Sequence, residues 1–146
     1  MRLPEGATSV MLDTCCFIYH FQADAYPAQA PYIEDLLRRI EQGELIGFTS
    51  PVTIAEIMTK PRQLGLDDVA YAYKLILLNF PNLAIPPIDA AVADKASSLR
   101  ARFGLKLPDA LQIAVGLAHG ASAFVTFERE LQRVAPLIAV VTPGEE

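Results

Sequence analysis

Short apolar segments alternate with helical segments along the whole of this chain. Strand character occurs at residues 9–12, 44–49, 83–88, 123–126 and 137–141, and helical character at 32–42, 51–59, 67–79, 89–103, 108–119 and 128–134. Pro86 and Pro87 restrict the third strand to a short or edge position. Such alternation is typical of parallel strands joined by right-handed helical crossovers. We therefore predict an α/β three-layer sandwich, with a mostly parallel central sheet of four to five strands flanked by helices.

Several residues mark where the helices begin and end. Ser50 offers a capping hydroxyl and Pro51 suits the first helical turn, so a helix should start there. This helix should stop before Pro61, since the residue preceding a proline disfavours helical backbone. Gly104 and Gly120 are placed to end the two later helices.

Length and composition limit the class of protein. A chain of 146 residues, of which 52% are hydrophobic, suits a single domain over residues 1–146. No apolar run approaches the roughly 18 residues that span a bilayer, and the N-terminal residues lack a signal-peptide pattern, so we expect no membrane association. The adjacent Cys15 and Cys16 provide neither a disulfide framework nor a cysteine-based zinc site, and a cytoplasmic location fits them.

Four carboxylates, on Asp13, Glu56, Asp109 and Glu128, fall where an apolar strand ends or a helix begins. Taken singly, each has a structural explanation, such as a helix cap, a favourable contact with the helix dipole, or a salt bridge for Glu56. Together they occupy matching places, and ligands of parallel sheets bind beyond the C-terminal ends of the strands. Converging carboxylates repel one another, and a divalent cation relieves the repulsion. The four acids therefore predict a site for Mg²⁺ or Mn²⁺, which prefer oxygen ligands and commonly serve phosphate chemistry.

The negative net charge of the chain is only weak evidence against a metal site that acts on nucleic acid. The chain has 12 basic and 17 acidic residues, for a net charge of −5. A general nucleic-acid binder needs an excess of Lys and Arg for its phosphate contacts. An acidic cluster that binds metal loses its negative charge locally, so a nucleic-acid substrate remains compatible with the sequence.

The segments that carry these acids resemble the PIN domain family, and more narrowly the VapC-type toxin ribonucleases. The resemblance covers nearly the whole chain and runs, in order, through VMLDT, TSPVTIAE, LPDALQIAVGLAHGA, FVTFERELQRV and LIAVVTP. It implies a PIN-like fold and a Mg²⁺- or Mn²⁺-dependent endoribonuclease, the toxin of a type II toxin–antitoxin pair, with a cognate antitoxin as partner. It also implies that Asp13, Glu56, Asp109 and Glu128 are catalytic and coordinate the metal.

The same resemblance places two hydroxyls, those of Thr14 and Thr126, beside the metal site. Relatives usually show Thr-Asn-Asp at the fourth motif, where this chain has Thr126, Phe127 and Glu128. Glutamate can replace aspartate as a ligand, although its longer side chain shifts the oxygens.

Other functions remain open on the sequence alone. A PIN-like module that binds RNA or protein with little or no catalysis is one, because Phe127 and Glu128 depart from the usual motif. A structure-specific DNA nuclease would share the metal chemistry. A phosphatase of the haloacid dehalogenase type also begins with an aspartate after its first strand, but it needs a second aspartate where this chain has Cys15.

Residues 71–80, YAYKLILLNF, predict an interface. A helix over these residues carries more apolar positions than one buried face requires. We therefore expect a homodimer, with burial in the deep core as the competing explanation.

Overall fold

The computed structural model of the chain describes residues 2–145 and contains one sheet of five strands in the order β3-β2-β1-β4-β5. Every neighbouring pair is parallel. The predicted α/β fold with a parallel central sheet is therefore confirmed. The strands are β1 (Ser9–Leu12), β2 (Ile46–Phe48), β3 (Leu83–Ala84), β4 (Ala123–Val125) and β5 (Ala139–Val141).

Helices cover both faces of this sheet. They are α1 (Thr14–Phe21), α2 (Ala30–Glu41), α3 (Pro51–Gln63), α4 (Asp67–Leu78), α5 (Ala90–Phe103) and α6 (Leu107–Ala118), with 3₁₀ turns at Ala23–Ala25 and Arg129–Val134. Side chains alternate along β1, so Val10 and Leu12 join the core against α1 to α4, while Met11 joins the core against α5 and α6. All three are fully buried, as expected for a central parallel strand.

One helix boundary departs from the prediction. We expected α3 to stop before Pro61, yet the helix continues to Gln63 with Pro61 inside it. Pro61 is buried, and its carbonyl accepts hydrogen bonds from the backbone N–H groups of Leu64 and Leu66. The burial of Pro61 and these two hydrogen bonds stabilise the last turn of α3, although proline has no backbone N–H to donate to the preceding turn.

The other elements match the prediction in type, and several are shorter. β3 has two residues and lies at an edge, and the predicted helix over 128–134 is a 3₁₀ turn. Gly104 takes a left-handed conformation, with φ of 67°, where it ends α5. Between residues 2 and 145, no helix combines the length and the apolar character needed to cross a membrane.

The topology fixes where a site can form. β1 lies at the middle of the sheet, with β2 on one side and β4 on the other. The connections after β1 lead to one side of the sheet and later return to the other, so β1 and β4 flank the topological switch point. Because these two strands are parallel neighbours, their C-terminal ends lie side by side.

Candidate functional site

Asp13 follows β1 directly and is 4% exposed. Its Oδ1 accepts the backbone N–H of Thr14 at 2.8 Å, which caps α1. Its Oδ2 accepts the hydroxyl of Thr126 at 2.8 Å, across from the end of β4. Asp13 is thus a helix cap, as its position suggested. The hydroxyl of Thr126, the residue after β4, also fixes the position of its carboxylate.

Two further acids reach the same point. Asp109 lies in the first turn of α6, and Glu128 follows β4 and precedes the 3₁₀ turn. Asp13, Asp109 and Glu128 each offer a carboxylate oxygen, and these oxygens all lie within 4.8 Å of one another. The backbone N–H of Glu128 donates to the Thr126 hydroxyl at 3.0 Å, so one threonine orients two of the three acids.

Glu56, the fourth predicted acid, stands beside this group rather than inside it. It lies on α3 and is exposed, whereas its neighbours Ile57 and Met58 are buried. Its Oε1 accepts the hydroxyl of Thr14 at 2.7 Å. The structure therefore brings three of the four acids together directly and connects the fourth through Thr14.

Burial, and after it electrostatic repulsion, raises the pKa values of the three clustered acids. Burial raises the pKa of Asp13, and hydrogen bonds from Thr126 and the Thr14 backbone oppose this increase. Desolvation and the charges of Asp13 and Glu56 raise the pKa of Asp109 to about 6. Desolvation, followed by repulsion from Asp109 and Asp13, raises the pKa of Glu128 to about 7. The repulsive part of these increases is what a bound cation would remove.

No arginine, lysine or histidine neutralises these acids through an ion pair within residues 2–145. Arg129, although next to Glu128 in sequence, pairs with Glu145 at 2.8 Å. The salt bridge considered for Glu56 is likewise not formed among these residues. The charge of Lys106 lowers the pKa values of Asp109 and Glu128 without forming an ion pair with either. Carboxylate oxygens that no such pair occupies suit a hard divalent ion such as Mg²⁺ or Mn²⁺.

The sequence matches the PIN domain family over residues 10–137. The chain belongs to the PIN domain family. The resemblance noted in the sequence is therefore confirmed at the level of the family. A search of curated proteins finds no significant match.

Solved structures share the fold of this PIN domain. A chain of the VapBC2 complex from Rickettsia felis, bound to a DNA fragment from its promoter, superposes with a TM-score of 0.74 at 16% identity, covering 93% of this chain and 99% of that one. A toxin–antitoxin complex from Klebsiella pneumoniae gives 0.65 at 21% identity, covering 95% and 100%. FitAcB from Neisseria gonorrhoeae gives 0.67 at 20% identity, covering 94% and 99%.

The PIN domain also has a buried polar cluster that sequence analysis missed. We call it the polar network, defined by Thr14, Thr49, Ser50, Thr53 and Gln112. All five side chains are buried. The available sequence signal was a lone glutamine three residues after Asp109 on an otherwise apolar helix.

The two histidines make contacts outside the acidic cluster. Nδ1 of His20 pairs with Oε1 of Glu34 at 2.5 Å, which turns the ring toward α2. His119 caps the far end of α6 from Asp109 and stacks on Phe48, with ring centroids 5.6 Å apart. These contacts favour a structural role for both residues.

Proposed function

We propose that this PIN domain is a metal-dependent endoribonuclease that hydrolyses RNA phosphodiester bonds. The observation that carries the proposal is the convergence of carboxylate oxygens from Asp13, Asp109 and Glu128 within 4.8 Å. Repulsion among these acids contributes to their raised pKa values. Acids whose pKa values are raised by burial and by one another are characteristic of functional sites.

Asp13, Asp109 and Glu128 would hold Mg²⁺ or Mn²⁺, with Glu56 contributing from α3. When bound, the cation supplies Lewis-acid stabilisation of charge on phosphate oxygens and lowers the pKa of water. The hydroxyl of Thr126 fixes the carboxylate of Asp13, and the hydroxyl of Thr14 fixes that of Glu56. These two threonines therefore keep the acids in place before substrate arrives.

We further propose that the protein is the toxin of a type II toxin–antitoxin pair and acts in the cytoplasm. Its structural relatives include a chain of the VapBC2 complex from Rickettsia felis and a toxin–antitoxin complex from Klebsiella pneumoniae. An antitoxin that donates an arginine to the acidic cluster would neutralise it in place of the metal, since guanidinium and carboxylate form strong paired hydrogen bonds.

A homodimer is the third part of the proposal. From residue 71 onward, helix α4 exposes four large apolar side chains, those of Tyr71 (55%), Leu75 (40%), Ile76 (45%) and Leu78 (51%). The competing explanation, burial in the deep core, therefore does not hold for these four residues. Tyr71, Leu75 and Leu78 have the i, i+4, i+7 spacing of one helix face, and an exposed apolar face is typical of an interface between proteins.

Cleavage of end-labelled single-stranded RNA, with Mg²⁺ or Mn²⁺ and with EDTA, tests the activity. We expect metal-dependent cleavage by the natural protein and none by Asp13→Asn. Equal cleavage by the two proteins would reject the site. A DNA strand of the same sequence, cleaved as well as the RNA, would favour a DNA nuclease, and RNA binding without cleavage would favour a binding module.

A further inference from the structure

Gln112 lies at the centre of the polar network, and every polar group of its side-chain amide forms a hydrogen bond. The side chain is 1% exposed. Its Oε1 accepts the hydroxyl of Ser50 at 2.5 Å, while Ser50 Oγ itself accepts the backbone N–H of Val52. Its Nε2 donates to the hydroxyl oxygens of Thr14 at 3.2 Å and Thr53 at 2.8 Å. The one oxygen and both N–H groups of the amide therefore have partners.

The hydroxyl protons on one side of the network have a single consistent arrangement. The hydroxyl of Thr49 donates to the carbonyl of Leu12 at 3.0 Å, which uses its only proton. The contact of 2.8 Å between the Thr49 and Thr53 hydroxyls then requires Thr53 to be the donor. With its own proton committed to Thr49, Thr53 can only accept from Gln112.

This arrangement decides where the proton of Thr14 points. The hydroxyls of Thr14 and Thr53 are 3.0 Å apart, but Thr53 has no proton left to give. Gln112 donates to Thr14, so the oxygen of Thr14 acts as an acceptor on that side. The proton of Thr14 is free to point at Oε1 of Glu56, 2.7 Å away.

We infer that Gln112 is a positioning residue that holds the carboxylate of Glu56 through the hydroxyl of Thr14. The inference rests on the proposed function, in which Glu56 contributes to the metal site. Glu56 is exposed and its long side chain would otherwise occupy several rotamers. Gln112 lies on α6, three residues after Asp109, so the amide also links the helix of one acid to the helix of another.

Gln112→Met tests the inference, because methionine has nearly the same shape and lacks both amide groups. We expect a loss of Mn²⁺ affinity, measured by calorimetry, and of RNA cleavage, each of about tenfold, as is typical for groups that orient metal ligands. In a protein that already carries Glu56→Gln, the same substitution should cause no further loss. Ile113→Val, a buried change on the same helix, controls for a loss of stability and should leave both readouts unchanged.

A loss of equal size in both backgrounds would show that Gln112 acts independently of Glu56, either through the fold or through Asp13, whose pKa it also lowers, and would overturn the inference. The absence of any loss would overturn it as well. Thr14→Val provides a second variant if Gln112→Met does not fold, with the same expected loss and the same dependence on Glu56. If the natural protein bound Mn²⁺ but did not cleave RNA, the proposed function would fail, while the affinity measurement would still decide the role of Gln112.

Discussion

The hydroxyl of Thr126 donates to Oδ2 of Asp13 over 2.8 Å and so ties the end of β4 to the end of β1. Thr126 is fully buried and Asp13 is 4% exposed. Burial raises the pKa of Asp13, and this hydrogen bond is the largest effect that lowers it. Among the groups around Asp13, Thr126 therefore does most to favour the charged carboxylate, followed by the backbone N–H of Thr14.

Thr126→Val should weaken the metal site and the fold together. It removes the hydroxyl that donates to Asp13 and accepts from the backbone of Glu128. We expect a loss of about 1–2 kcal/mol in the free energy of unfolding, measured in urea. We also expect about tenfold weaker Mn²⁺ binding.

Thr142 provides the matched control for this substitution. It follows β5 as Thr126 follows β4, and the preceding residues, Val141 and Val125, are paired in the sheet. Thr142→Val should leave Mn²⁺ affinity unchanged. Equal effects of the two valine substitutions on Mn²⁺ binding would contradict the role given to Thr126.

The metal-free protein should lose stability as the pH rises from about 4 to 7. Folding raises the pKa of Asp109 from 3.8 to about 6 and that of Glu128 from 4.5 to about 7. At a pH between the unfolded and the folded pKa of each acid, the folded state binds more protons than the unfolded state. The free energy of unfolding therefore falls as the pH rises through this range. The contribution is fully present only well below pH 3.8, where both acids are protonated in the folded and the unfolded state.

Thermal unfolding in EDTA at a series of pH values measures this effect. The decline in melting temperature should shrink in Asp109→Asn and in Glu128→Gln, and should persist in Asp94→Asn, which alters an exposed aspartate on α5. Saturating Mn²⁺ should remove the decline, since the ion favours the charged acids. A decline of the same size in all three variants would assign it to other groups.

The order of elements and the acids at the strand ends were readable from the sequence because they depend on local patterns. Asp89 caps α5 through the backbone N–H of Val92 at 2.9 Å, as a helix over 89–103 requires. The continuation of α3 through Pro61 was not readable, since packing and carbonyl contacts of later residues decide it.

The polar network escaped prediction for a similar reason. Gln112 and Ser50 are 62 positions apart, and their contact depends on how α6 packs against the start of α3. No local pattern in a single sequence encodes such a pair. The exposure of Glu56 also depends on the packing of the finished fold, since its neighbours Ile57 and Met58 on the same helix are buried.

Charged substitutions on α4 should weaken self-association. Leu75 and Leu78 are exposed on this helix, and a lysine at each would place two charges in the proposed dimer interface. Light scattering at micromolar concentrations should show a dimer for the natural protein and a monomer for the double variant. Ile46→Lys changes an exposed apolar residue of β2 and should leave the dimer intact. A natural protein that is already monomeric would count against the homodimer.

Glu128→Asp should impair the site, although it restores the residue that relatives usually carry there. The backbone at Glu128 is fixed by the hydrogen bond from its N–H to Thr126 at 3.0 Å, so the carboxylate would withdraw by about 1.5 Å, the length of one carbon–carbon bond. That withdrawal takes its oxygen away from those of Asp13 and Asp109, which now lie within 4.8 Å. We expect about tenfold weaker Mn²⁺ binding and slower cleavage of RNA. Glu41→Asp, the same shortening at an exposed acid at the end of α2, serves as the control. Unchanged binding by Glu128→Asp would show that Glu128 does not contact the ion.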